Sequence, residues 1–332
     1  MIFVSKTPSC PQDSIPPCTP WFSILILIAP FGYSGYDTDK EPNVNVIVLV
    51  KQVPDTQNIT GDAMTPEGTV NRAALPAVFN PDDLYALEAA LRIKDANAGT
   101  RVNVVTMGPP SAAAVLKECL FRGADFTALV SDRGFAGADT LATSYALKCA
   151  IEKIGAYDLV LCGRQAIDGD TAQVGPQTAE KLGINQITCV SKIESLDPSK
   201  KEIVAVRSIE GGWEKVKAKL PVLITFTEEG EAPRPASAIK TCAFKRVAPV
   251  AGDAGSPSDP FAEGSPGANP MALWDIPAIN ADPLQCGLSG SPTKVKHINS
   301  VVLTAADIRY IEPGEAGVSE LIHGLIADHT FG

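Results

Sequence analysis

Between Cys162 and Ala172 the chain reads Gly163-Arg164-Gln165-Ala166-Ile167-Asp168-Gly169-Asp170-Thr171, a polar loop with two glycines and two flanking acids. The run Asp158–Cys162 before it is nearly all apolar, as a parallel strand buried on both faces should be. Ala172–Leu182 after it reads as a helix, with Thr171 as candidate N-cap and Gly183 as its stop. A strand that ends in small residues and then opens a helix offers unpaired backbone N–H groups and a positive dipole end. The chemistry that suits this arrangement is the binding of an anion, above all a phosphate. The same spacing also suits an ordinary βα connection.

The elements that must position this loop follow from apolar runs and stop signals. Val46–Val50 reads as a first strand, ending in Lys51-Gln52-Val53-Pro54-Asp55-Thr56. Asn80 caps a helix with Pro81 at its first position, and Asp82 and Asp83 suit the helix dipole. Leu84, Leu87 and Leu91 give that helix an apolar face. Val102–Thr106 is a second strand, followed by Met107-Gly108-Pro109-Pro110, and Ser111 caps a helix that stops at Gly123. Phe126–Val130 is a third strand, and Leu141, Tyr145 and Cys149 mark the next helix. The opening stretch supplies a fourth strand and Ile187–Val190 a fifth. Alternation of this kind predicts an α/β fold, a parallel sheet with helices on both faces. In such sheets ligands bind at the carboxyl ends of the strands.

Beyond the fifth strand, Glu202–Ile209 and Trp213–Leu220 flank Glu210-Gly211-Gly212 and predict a β-hairpin. Val222–Thr227 is a further strand, and Glu228–Arg246 a charged loop. The α/β domain is therefore drawn as 44–246. Residues 247–272, rich in Pro, Gly, Ser and Ala, read as linker. Residues 273–332 read as an extended arm anchored by Trp274, Ile276 and Ile279, with a closing helix marked by Val318, Leu321 and Leu325. So little core of its own implies a partner surface. Residues 1–43 differ from the rest, with prolines at 8, 11, 16, 17, 20 and 30. They read as a disordered extension or as sequence wrongly assigned to the chain. Their apolar run, Trp21–Ala29, is too short to span a bilayer, and no convincing signal-cleavage pattern follows it.

Composition narrows the function classes. A chain of 332 residues, 45% hydrophobic, can bury a real core. A net charge of −10 argues against general nucleic-acid binding. The eight cysteines form no Cys-x-x-Cys pair, and several sit in apolar runs, so they read as reduced thiols of a cytoplasmic protein. Only three histidines exist, at 297, 323 and 329, which leaves little support for a zinc site or a Ser/His/Asp triad. No Gly-x-Gly-x-x-Gly, Walker A or Ser-Gly-Gly-x-Asp-Ser loop occurs. No catalytic side chain is assigned.

The stretch Gly163-Arg164-Gln165-Ala166-Ile167-Asp168-Gly169-Asp170-Thr171-Ala172-Gln173-Val174-Gly175-Pro176 resembles the signature of the small (beta) subunit of electron-transfer flavoproteins. Val50-Lys51-Gln52-Val53-Pro54-Asp55, Asn80-Pro81-Asp82-Asp83 and Glu210-Gly211-Gly212 support the likeness, which runs from about Val44 to the C-terminus. The resemblance implies a Rossmann-like domain paired with a larger alpha subunit that carries its own FAD. It implies AMP at the beta site in respiratory-type members and a second FAD in electron-bifurcating ones. Carried over, the nucleotide would meet Leu49 or Val50, Asn80, Pro81, Asp82 and Asp83, and Met107 and Gly108. It would also meet Asp168, Gly169, Asp170, Thr171, Ala172, Gln173, Val174 and Gly175.

Gly169 stands where respiratory-type members tend to carry an acid, and Gly287–Val295 resembles the arm of the bifurcating branch. That branch implies hydride transfer from NADH to a beta-site FAD. One electron then passes to ferredoxin, and the other to the alpha-subunit FAD and an acyl-CoA dehydrogenase. Ala238, with Ile239 beside it, stands near where the family carries a leucine in its partner-recognition loop. An AMP-holding subunit of a simple electron carrier and a free-standing nucleotide-binding protein are the other readings. No membrane insertion is expected.

Overall fold

The computed structural model describes residues 44–55, 76–252, 269–293 and 311–327. The reading of 1–43 as an extension lies outside these residues, and so does the greater part, 253–268, of the 247–272 linker. In chain order the elements are β1 (Asn45–Leu49), β2 (Gln52–Pro54), β3 (Ala77–Phe79), α1 (Pro81–Ala96), β4 (Arg101–Met107) and α2 (Ala113–Arg122). Then come β5 (Phe126–Val130), α3 (Thr140–Ile154), β6 (Leu159–Gly163), α4 (Val174–Leu182), β7 (Asn185–Asp197), β8 (Glu202–Ile209) and β9 (Gly212–Lys219). The chain continues through β10 (Val222–Phe226), α5 (Ala238–Phe244), β11 (Val250–Ala251), β12 (Met271–Trp274) and α6 (Glu315–Ala327).

Ten strands form one sheet in the order β11-β12-β5-β4-β1-β6-β10-β7-β8-β9. It is parallel from β11 to β7 and antiparallel from β7 to β9. β2 and β3 make a separate antiparallel pair. Every residue of β5, β6 and β10 is buried, because helices cover both faces. Alternation along β1 splits its side chains between two cores. Val46 and Val48 pack with Leu87, Leu91, Leu116 and Leu120 of α1 and α2. Ile47 and Leu49 pack with Leu147 and Ile151 of α3 and with Ala179 of α4. The parallel α/β sheet and the β-hairpin expected from the sequence are thus present.

Several local expectations need correction. The short fifth strand is the start of the long β7, which continues past Val190 to pair with β8. Ser111 caps no α-helix. It lies in a 3-10 turn, Pro110–Ala112, and its hydroxyl donates to Gln52 Oε1 at 3.1 Å. The charged segment after β10 is not a free loop. It is pinned to α1 by Arg234, whose backbone N–H and guanidinium Nε bond the buried Glu88 carboxylate at 3.0 and 2.9 Å, and it contains α5.

The boundary between linker and arm at 272/273 falls inside β12. Met271–Trp274 pairs in parallel with β5, Met271 opposite Thr127 and Trp274 opposite Val130. Trp274, Ile276 and Ile279, expected to need a partner surface, are buried in this chain's own α3-side core. They are too few to make a core alone, but the open edge of β5 supplies backbone partners and α3 an apolar surface. In α6, by contrast, Val318, Leu321, Ile322 and Ile326 remain exposed.

Candidate nucleotide site

Two loops meet at the carboxyl ends of β1 and β6, and the first turn of α1 joins them. Leu49 and Val50 are buried, and the Val50 N–H donates to Val105 O at 3.0 Å. Chain continuity then brings Lys51 beside α1. The Asp83 carboxylate accepts from Lys51 N–H at 2.8 Å through one oxygen and from Gly163 N–H at 2.9 Å through the other. One buried side chain therefore fixes the ends of two neighbouring strands. Its proton affinity reflects the site, because burial pushes the Asp83 carboxyl up to about 7 despite those two bonds. Burial raises Asp82 as well, partly countered by Arg164, whose Nε lies 3.8 Å from Oδ2.

Asn80 occupies the N-cap position of α1 as expected, yet its side chain does not cap the helix. Its Nδ2 donates to Gln165 O at 2.9 Å, and its Oδ1 accepts from Ile167 N–H at 3.1 Å. The amide thus grips the 164–173 loop at two points, and Pro81, which has no N–H to be capped, starts the helix. Across the loop mouth, Lys51 Nζ lies 2.7 and 2.9 Å from the two oxygens of Asp168.

The loop ends differently from the sequence expectation. α4 begins at Val174, not Ala172, and Thr171 is no cap. The reason is backbone conformation, since Asp170 and Ala172 have φ of 50° and 52°, values that a right-handed helix excludes. Asp170 is held there by Gln165 Nε2, which donates to its carboxylate at 2.9 Å. Ala172 in the left-handed region, followed by Gln173 in the right-handed one, forms the backbone concavity known as a nest. Among the described residues, the N–H groups from Thr171 through Gly175 donate to no protein acceptor. Thr171, Ala172 and Gln173 are exposed and Val174 is half-buried. Gly175 is buried, and a Cβ there would lie only 2.9 Å from Thr225 Cγ2 and 3.0 Å from Cys162 Sγ, so its small size is demanded by packing. Gly169 meets nothing within 4 Å, so its small size is not demanded by the chain's own packing.

Met107 and Gly108 are half-buried at the end of β4, where the Gly108 N–H is taken by Val130 O at 3.1 Å. They join the other loops only indirectly, through Gln52 Nε2, which donates to Ser111 O at 3.2 Å. The sequence reading missed Lys51, Gly163 and Arg164 as site residues. Their position immediately after or at the end of strands β1 and β6 is the signal that would have found them. A cavity of about 270 Å³ lies elsewhere, between α1 and β7, lined by Tyr85, Ala89, Ile93, Ser191 and Phe226. A run of unpartnered N–H groups on a nest at a helix start, the first three on exposed residues, has the donor chemistry that nucleotide phosphates require.

The family model described as the electron transfer flavoprotein domain matches residues 67–251. Subunit CarD of the caffeyl-CoA reductase-Etf complex of Acetobacterium woodii is 40% identical over 289 residues, covering 87% of this chain and 95% of that relative. The chain belongs to the electron transfer flavoprotein beta-subunit family. Other members of the family are similarly close. The electron transfer flavoprotein subunit beta of Clostridium acetobutylicum is 43% identical over 254 residues, covering 76% of this chain and 86% of its own. Protein FixA of Azotobacter vinelandii is 43% identical over 256 residues, covering 76% and 82%. In this flavoprotein-family chain, no helix among the described residues is long and apolar enough to cross a membrane.

Proposed function

We propose that this chain is the beta subunit of a heterodimeric electron-transfer flavoprotein and that it holds FAD across the loops after β1, β4 and β6. The observation that carries the reading is the run of unpaired N–H groups from Thr171 to Gly175, shaped by left-handed Asp170 and Ala172. Those groups and the α4 dipole would bind the phosphates, with Asn80, Asp83 and Gly163 keeping the loops in register. A flavin bound there supplies the electron-transfer chemistry. The chain's own residues bind and orient it.

The relative named as a subunit of a caffeyl-CoA reductase-Etf complex supports an assembly with an alpha subunit and an acyl-CoA dehydrogenase-type partner. NADH as donor and ferredoxin as a second acceptor complete the proposal, in the cytoplasm. The test is the visible spectrum of the full chain copurified with its alpha subunit, with chromatography of the nucleotides released by heat. Two flavins per heterodimer is the expected result. One flavin with AMP replaces the bifurcating assignment by an AMP-holding one, and no bound nucleotide at the beta site overturns the reading.

A further inference from the structure

The Lys51–Asp168 pair is exposed, with 46% and 23% of the two side chains accessible. Exposed pairs of this kind add little to stability. This one nevertheless spans two loops 117 residues apart, at the mouth of the loop that carries the unpaired donors. Both backbones are fixed. Lys51 N–H is held by Asp83 at 2.8 Å and its carbonyl by Asn80 N–H at 3.0 Å. The Asp168 loop is held by the Asn80 amide at Gln165 and Ile167. The adjustable part is the lysine's four-carbon stem. Thr171, the first unpaired donor, follows Asp168 by three residues, so their Cα atoms lie within roughly 11 Å. The ammonium's present partner and the first unpaired donor thus sit on one short stretch of the same loop.

We propose that Lys51 is a phosphate latch, paired with Asp168 and transferred to a phosphate oxygen when a nucleotide binds. Asp168 is then a built-in competitor that weakens binding. A plain staple between loops makes the opposite demand, since breaking it from either side loosens the site. The inference rests on the nucleotide reading above.

The full chain, stripped of bound nucleotide, is titrated calorimetrically with ADP and with AMP. Lys51→Gln lowers ADP affinity by about tenfold, the loss of one charge-assisted contact after the cost of leaving Asp168. AMP, with one phosphate, loses less. Lys51→Arg stays within about threefold of the parent, because the charge is kept. Asp168→Asn tightens ADP binding by about threefold or more, because the lysine is released. Unchanged ADP affinity in Lys51→Gln, or equal weakening by Lys51→Gln and Asp168→Asn, overturns the latch and leaves the nucleotide reading standing. A parent chain that binds neither ADP nor AMP overturns both.

Discussion

Gly163→Ala tests how the site is held together. Gly163 ends β6, and its N–H donates to the buried Asp83 carboxylate. A Cβ at this position would lie 2.5 Å from that Asp83 oxygen, 2.6 Å from Asp82 Cβ and 2.8 Å from the Asp82 carbonyl carbon. Comfortable separations are about 3.5–4.0 Å, so β6 and the first turn of α1 must part by about 1 Å. The obstacle is helix backbone, which cannot swing aside as a side-chain tip does. Overpacking of this kind costs about 1–3 kcal/mol. Stretching a hydrogen bond to a buried carboxylate adds about 1.5–3 kcal/mol. Reduced freedom of the unfolded chain returns only about 0.4–1 kcal/mol. The net loss is roughly 2–5 kcal/mol, a large part of the ~5–15 kcal/mol of a typical domain. Urea unfolding followed by tryptophan fluorescence measures it, with Gly169→Ala as the control in open space. A Gly163→Ala chain within about 0.5 kcal/mol of the parent would show that α1 and β6 are not locked as described.

Gly169→Asp should leave the unfolding midpoint unchanged, because no atom lies within 4 Å of the added Cβ. It should still lower FAD and ADP affinity by about tenfold to a few hundredfold, from roughly 3 kcal/mol of repulsion at about 5 Å and an effective dielectric of about 20. Full nucleotide retention would remove the phosphates from this loop. The pH dependence concerns Asp83, whose folded pKa is raised from 3.8 to about 7. A raised carboxyl binds more protons folded than unfolded. Its stabilising contribution is therefore full below about pH 4 and is lost as pH rises toward 7, at up to about 1.4 kcal/mol per unit. Unfolding of parent and Asp83→Asn at pH 5 and pH 7.5 measures this; the variant should lack that part of the slope, and equal slopes would contradict it.

The parts of the fold legible in the sequence are those that one segment specifies by itself. β5 and β6 are short, nearly all-apolar runs, and the β8–β9 hairpin carries its turn residues between two strand-length segments. β12 was not legible, because Met271–Trp274 becomes a strand only beside β5, on the far side of α3, β6, α4 and the hairpin. The site divides the same way. The loop between β6 and α4 announced itself through its glycines and its helix. Asn80 looked like a helix cap and instead serves a loop 85 residues on, a job fixed by tertiary contact. The start of α4 was misread because nothing in Thr171-Ala172 signals the left-handed turn that Gln165 and Asp170 stabilise.

The seat of β12 has a consequence for synthesis of the chain. β5 leaves the ribosome some 140 residues before its outer partner, and at about 5–20 residues per second that is a wait of roughly 7–30 s. Throughout that interval the backbone of Phe126–Val130 has a partner on the β4 side only, and the surface that Trp274, Ile276 and Ile279 will cover stays bare. An unpaired parallel edge whose residues, Thr127 apart, are apolar is a template for the wrong strand. The nascent chain therefore carries an open β5 edge from before the 164–173 loop is made until β12 arrives, and a chaperone that shields that edge is needed for the whole of that interval.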